Sequence, residues 1–432
     1  MRYGKRFKPP ETRGATRARA TLAACVSLLV FSTALAQGDL TGGVGQFAVQ
    51  PKKPKVVVSA KPKPPAVKAG PKATNNDRLL AAAGSGDAAA ASKLLGAGAD
   101  ANARSTEGCP ALVYAVASKN AAAAQSLLAR GADANSRCAD GVTALMVAAE
   151  SGDEPTAQAL VGRGADANAK TVDGRTALMF AASSGQLPVV RALLSKGADV
   201  HARYKDGRTA LTFAAANGFA VVADELLSKG ADVNSRDVDG WTPLLWGSWF
   251  GHADVVKLLL GRGAEAGVTD KDKDTALMKA ATQGHAAVVR LLGGAEGVDV
   301  NARGNGGGTA LLFAASRPSG YEAVEALLEK GADVNARNEA GMTPVILASA
   351  YGRVPTLEVL LKKGGDVNAR TPKGFSALIA AANKGLSATV QLLIEHGAEV
   401  NATYEDGRTA LGFAEQNGQA RVVEILRNAG AK

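Results

Sequence analysis

The chain has 432 residues, 46% of them apolar and 21% charged, with only 4% aromatic. That balance excludes a polar disordered polymer and a membrane-embedded bundle, and the scarcity of large rings means that any core is packed from small side chains, backbone close to backbone. Fourteen Lys and Arg against Glu11 and Asp39 give residues 1–75 a charge of +12, so the remainder carries −2 of the formal total of +10 and has no basic footprint for nucleic acid.

Seven of those cations precede Ala20 to Phe31, which is apolar apart from Thr21 and Ser27 and is followed by Ser32-Thr33-Ala34-Leu35-Ala36. A basic stretch, a short apolar stretch and a small-x-small site predict a secretory signal over 1–36, cleaved between Ala36 and Gln37. The apolar run falls short of the roughly 20 residues of a comfortable membrane-spanning helix. Export to the periplasm or beyond is the reading taken, with an uncleaved inner-membrane anchor as the alternative. A mitochondrial presequence fits less well, because its helix would be amphipathic. Leu22-Ala23-Ala24-Cys25 matches a lipoprotein box in letters, but its apolar stretch follows the Cys instead of preceding it, so the match is treated as chance.

Residues 37–75 are rich in Pro and Lys, as in Pro51-Lys52-Lys53-Pro54-Lys55 and Lys61-Pro62-Lys63-Pro64-Pro65. Proline blocks helix and strand, and repelling lysines favour extension, so a disordered linker is expected. It serves either as a solvated spacer or as a weak tether to an anionic membrane or cell wall.

From residue 76 to 432 the sequence repeats. Gly98-Ala99-Asp100-Ala101-Asn102 returns at Gly131, Gly164, Gly197 and Gly230, each time 33 residues on, and later copies include Gly331-Ala332-Asp333-Val334-Asn335 and Gly397-Ala398-Glu399-Val400-Asn401. In step with it run Thr143-Ala144-Leu145, Thr176-Ala177-Leu178, Thr209-Ala210-Leu211 and Thr242-Pro243-Leu244, where the Thr hydroxyl can cap the helix that follows. A short Ala-rich helix, a turn usually containing Gly, and a second helix with paired apolar residues such as Val189-Val190 and Leu193-Leu194 complete each unit. No such unit buries its apolar face alone, so the units must stack.

The period and these elements resemble the ankyrin repeat. Helix pairs opened by Leu79, Leu112, Leu145, Leu178, Leu211, Leu244, Leu277, Leu311, Val345, Leu378 and Leu411 predict an all-α ankyrin-repeat solenoid of about eleven pairs with β-turn finger loops, the first and last acting as caps. The family's Thr-Pro-Leu-His has lost its His throughout, with Met146, Met179, Thr212, Leu245, Met278 and Leu312 in its place. Regularity lapses around residues 293–320, where Gly297 adds a residue, four glycines fall within 304–308 and Pro318 enters a turn, and a weak joint is expected there.

Little in the sequence supports chemistry. No catalytic residue, cofactor or metal site is assigned. His252 and His285 occupy a structural position of the repeat, and Asp270-Lys271-Asp272-Lys273-Asp274 starts like a calcium loop but has Thr275 and Ala281 where Gly and Glu are needed, so it reads as a charged finger tip. The resemblance implies a protein partner, bound on the concave face by fingers and first helices. Its variable positions there include Arg175, Arg208, Trp241, Asp274, Met342 and Phe375 after the finger Gly, and Trp249, Phe250 and Tyr351 before the turn. Trp246 shares its position with Phe180, Phe213 and Phe313 and reads as packing, whereas Trp241, Trp249 and Phe250 have no such explanation and are taken as binding anchors, the other reading being that they pack on one another. Cys109 and Cys138 fall in the fingers of adjacent repeats and are either bridged, if the compartment is oxidising, or two free thiols. The expected function is an exported, monomeric adaptor or scaffold; the alternative is a structural protein tethered through its N-terminal segment.

Overall fold

The structure is a computed structural model and describes residues 73–432. The leader, Cys25 and all but the last three residues of the linker lie outside the described residues.

The described residues form 22 α-helices in eleven pairs, from Asn75–Ser85 with Ala88–Gly96 in repeat 1 to Ala410–Gln416 with Ala420–Asn428 in repeat 11. First helices pack on the first helices of neighbouring repeats, and second helices on second helices. The first helices are short and alanine-rich for a packing reason: in Ala177–Ser183 every residue from Ala177 to Ala182 is buried, so small side chains are needed on both sides of the helix. All but the one in repeat 2 are started by a hydroxyl. Thr143, Thr176, Thr209, Thr242, Thr275, Thr309, Thr343, Ser376 and Thr409 stand in extended backbone and accept from the N–H three residues on, as Thr343 Oγ1 does from Ile346 at 3.2 Å. Pro110 replaces the hydroxyl in repeat 2 and makes no such bond.

A polar ladder joins the repeats. The loop Asn of one repeat bonds twice to the loop of the next: Asn135 Nδ2 donates to Gly164 O at 2.8 Å, and its Oδ1 accepts from Asp166 N–H at 2.7 Å. Asn102, Asn168, Asn234, Asn301, Asn335, Asn368 and Asn401 make the same pair of bonds one repeat further on. Two rungs have no Asn. His201 stands in one, and Gly267 in the other, where a Cβ would come within 2.5 Å of Gly297 O. The fingers also bond edge to edge, Val172 N to Asp140 O at 2.9 Å and Val238 N to Asp206 O at 2.8 Å.

The irregular region follows the missing rung at Gly267. The second helix of repeat 7, Ala286–Leu292, is two residues shorter than the nine-residue Ala253–Gly261 before it. The next finger turns through a 3-10 segment, Asn305–Gly307, into a first helix of only six residues, Ala310–Ala315. A cleft of about 740 Å³ opens between the second helices of repeats 6 and 7, lined by Leu260, Ala264, Leu291 and Ala295 among others. Among the described residues no helix is long and apolar enough to cross a membrane.

Two outcomes follow from this architecture. Restoring the rung with His201→Asn should stabilise repeats 4 and 5 by about 0.5–1 kcal/mol, the net value of a modest hydrogen-bond gain, read as slower amide exchange in Ala210–Ala216; unchanged exchange would show that the rung adds nothing there. Trypsin should make its first cuts within the array at Arg303 or Arg317, and first cuts in another repeat would refute a weak joint.

Candidate protein-binding surface

The fingers and the first helices meet along the array in an alternation of cations and rings. The residue after the finger Gly lies beside the residue five positions on in the first helix, and both recur with the repeat. Arg175 stacks on Phe180 at 4.1 Å and reaches Phe213 of the next repeat at 5.5 Å. Arg208 lies over Phe213 at 4.9 Å and over Trp246 of the next repeat at 5.2 Å. In the following repeats the chemistry is exchanged: Trp241 takes the arginine position, Lys279 takes the ring position, and Lys279 Nζ sits 4.8 Å from the Trp241 ring. Arg408 repeats the original arrangement over Phe413 at 4.1 Å. Such contacts contribute about 0.5–2 kcal/mol each, more where water is excluded.

This ladder decides where the anchor tryptophans lie. Trp241 is 7% exposed and Trp249 6% exposed, and the Trp241 ring lies 5.1 Å from Trp246 and 5.8 Å from Trp249. The expectation that Trp241 and Trp249 stand clear of the packing is therefore corrected: they pack on each other and on Trp246, because a finger residue at this register points back at the first helix. Arg175, Arg208 and Met342 are buried as well, at 4%, 5% and 2% exposure. Phe250 is half-buried, stacked on Trp246 at 6.2 Å and on His252 at 6.3 Å. Tyr351 and Phe375 are also half-buried, Phe375 edge-on to Tyr404 at 6.3 Å.

The finger at 270–274 is also corrected. Lys271, Asp272 and Lys273 are exposed, but Asp270 is buried, and Asp274 turns inward with it toward Lys279. Lys279 Nζ lies 2.6 Å from Asp270 Oδ2 and 2.8 Å from Asp274 Oδ2, and its side chain is 1% exposed. Asp270 Oδ1 accepts from the N–H groups of Asp272 and Asp274, both at 2.9 Å, and so shapes the finger. Two carboxylates thus share one ammonium. Burial raises the Asp274 carboxyl above its ordinary value, Lys279 pulls it back, and Asp270 and Asp272 push it further up. Asp237, one repeat earlier, is likewise raised by burial, although it accepts from Trp241 N–H and from Trp246 Nε1, both at 2.9 Å.

His252 and His285 link repeats through Nε2, to Ala216 O and Trp249 O, each at 3.1 Å. Cys109 and Cys138 are joined by a disulfide with a Cα separation of 4.1 Å, which ties the finger of repeat 2 to that of repeat 3. Among the described residues no group of three or more His, Cys, Asp or Glu is placed to hold a metal ion.

What remains open beside the first helices is a groove of about 380 Å³ whose lining comes from four repeats. Its walls are Glu150 from repeat 3, Ser183 and Ser184 from repeat 4, Arg208, Phe213, Ala216 and Asn217 from repeat 5, and Trp246, Phe250 and His252 from repeat 6. At the finger tips Val172 is 82% exposed and Val238 51% exposed. Of the expected contact residues, Arg208 and Phe250 reach this groove, while Asp274, Met342, Tyr351 and Phe375 do not line it. Glu150 and Asn217 stood at variable positions of the repeat, and Val172 and Val238 at tips, but nothing in their residue type marked them out.

The family profile of three ankyrin repeats matches residues 79–171, 140–204, 178–270, 250–338, 298–371 and 345–432, so the matches together run from 79 to 432, and the chain belongs to the ankyrin-repeat family. No curated protein matches the sequence.

The buried triad predicts a pH effect. Asp274 has a folded pKa above its unfolded value near 4, so the folded state holds the proton more tightly; its contribution is most favourable at low pH and is lost as pH rises from the unfolded value through the folded one. Asp274→Asn should flatten that part of the urea-midpoint profile and lower stability at neutral pH by no more than about 1 kcal/mol. Lys279→Met, which strands two buried carboxylates, should cost about 3–5 kcal/mol. Equal losses in the two variants would refute the triad as described.

Proposed function

We propose that this protein is an exported adaptor or scaffold that binds a protein partner in the concave groove and has no catalysis of its own. The observation that carries the reading is the groove itself, whose lining residues are drawn from four consecutive repeats and combine a half-buried ring, Phe250, with open polar groups. Ankyrin repeats are in general protein-interaction modules, and a large aromatic set in a polar rim suits that work. Export rests on the leader motif, and the Cys109–Cys138 bridge suits an oxidising compartment. The second reading, a structural protein held to membrane or wall through its N-terminal segment, rests on the basic linker alone.

A triple alanine variant of Trp241, Trp249 and Phe250 is a poor test, because two of those rings are buried and their loss would cost about 3–5 kcal/mol each. Asn217→Arg is better, since Asn217 is exposed at the groove wall. A pull-down from native envelope extract should retain a stoichiometric protein on the wild type and lose it on Asn217→Arg. Intact mass of the purified bait should show loss of residues 1–36, and thiol labelling without reductant should find no free Cys. A partner held equally by both baits would place binding elsewhere; a retained leader with salt-sensitive membrane association would favour the tether.

A further inference from the structure

The groove wall carries one carboxylate with no counter-charge bonded to it. Glu150 is half-buried there, and it has no hydrogen bond or ion pair among the described residues. Its Oε2 is sealed, so an occupant meets the other oxygen, Oε1. The cations nearby are committed. Arg208 pairs with Asp206 at 2.6 Å. Arg175 lies outside the lining, and Asp173 acts on it more strongly than Glu150 does. His252 bonds Ala216 O at 3.1 Å through Nε2. Setting Asp173 and Asp206 against Arg175 and Arg208 leaves the Glu150 charge over. Glu150, Ser183, Ala216 and Phe250 also stand in the last turns of four first helices, whose carbonyl ends carry partial negative charge. The groove therefore suits a cation attached to an apolar body, the latter resting on Phe250, which is only half-buried.

The chain itself carries such a segment. Residues 51–72 contain lysines and no acid, and residues 61–68 read Lys-Pro-Lys-Pro-Pro-Ala-Val-Lys. Proline pre-sets the polyproline II backbone, with three residues per turn and a rise of about 3.1 Å per residue. In that form Pro62 and Pro65 share one ridge with Lys68, and Pro64 and Val67 share the next. Proline-rich ridges of this kind dock on aromatic-lined grooves. The reach fits as well. The described array begins at residue 73, which puts residue 68 about 16 Å and residues 62–65 about 25–34 Å away along such a chain. Packed helices are about 8–10 Å apart, so the first helix of repeat 3, with Glu150, lies about 16–20 Å from that of repeat 1, and that of repeat 5, with Phe213, about 32–40 Å. Counted away from residue 73, the segment offers its lysine first and its prolines beyond; the wall offers its acid first and its rings beyond.

We infer that residues 61–68 of this chain fill the groove, with Pro62, Pro64, Pro65 and Val67 against Phe213 and Phe250 and the Lys68 ammonium at Glu150 Oε1. Such a contact is weak by itself, but a tether of a few residues gives it an effective concentration of about millimolar. A protein partner then has to displace the segment, so the groove is self-occupied until a competitor arrives. An acidic occupant would instead meet Glu150 and the negative helix ends. This rests on the reading of the groove as a binding surface and adds its resident occupant.

The test places a photo-activatable benzophenone amino acid at Ala66 in the full chain and maps its cross-links by mass spectrometry. Cross-links should concentrate at residues 183–184, 213–217 and 246–252. Lys68→Glu should lower their yield by about threefold or more, Glu150→Lys should do the same, and the two together, which restore opposite charges, should recover it. If Glu150→Lys melts early, Lys68→Glu with Asn217→Arg, which blocks the groove, decides alone, since Lys68 lies outside the described residues. Cross-links spread along the array, or groove cross-links that no charge variant changes, would overturn the inference. Cross-links found only between two copies, rising with concentration, would overturn it too. The partner reading is tested separately by the pull-down. A protein lost on Asn217→Arg in the absence of groove cross-links leaves that reading standing and sinks this one; groove cross-links with no partner retained, even on Lys68→Glu, do the reverse.

Discussion

The register of this array rests on the asparagine that eight of its loops lend to the next. A helix pair of seven and nine residues cannot bury its own apolar face, so its stability lies in the interface to its neighbour. Apolar contact by itself does not fix how two such surfaces slide, since alanine against alanine tolerates many registers. The Asn side chain does fix it, because it must find a carbonyl and an N–H of the next loop at the same time, as Asn135 does with Gly164 and Asp166. With the loops locked, successive fingers come into bonding range and the cation and ring positions of adjacent repeats fall opposite one another.

Where the rung is absent the consequences differ. His201 leaves a gap inside an otherwise regular stretch, and the neighbouring helices keep their lengths. Gly267 is followed by the shortened helix Ala286–Leu292, the extra glycines and the cleft between second helices. The difference is that Gly297 O has closed to the place a side chain on residue 267 would occupy, so the loop there has settled into another path that only glycine permits.

The line where fingers meet first helices repeats one arrangement with different chemistry. Arg175 over Phe180, Arg208 over Phe213 and Arg408 over Phe413 obey one rule, and Trp241 with Lys279 obeys it with the partners exchanged. An ammonium in a ring's place cannot be buried without compensation, and Asp270 and Asp274 provide it. The stack thus carries its charge inside.

The sequence by itself determined the period, the eleven helix pairs, the hydroxyl caps and the irregular stretch near 293–320, because these are properties of spacing: a Thr three residues before a free N–H, or an Asn every 33 residues, acts through local backbone geometry. It also placed Cys109 and Cys138 in adjacent fingers. Only the tertiary structure decided which side of each position faces inward. Trp241 and Trp249 occupy positions that vary in the family, yet the finger's return angle turns Trp241 onto the first helix, where Trp246 and Trp249 complete the cluster. Lys279 shares its register with Phe180, Phe213 and Trp246, and the folded array buries it in the ladder. Arg175 forms no ion pair among the described residues for a reason no spacing reveals, since Asp173 sits at the same offset as Asp206 and Asp406 but accepts from Thr171 Oγ1 instead. Period fixes which residues meet in register; competition among the neighbours at each meeting point settles what bonds form, and that is a property of the folded array alone.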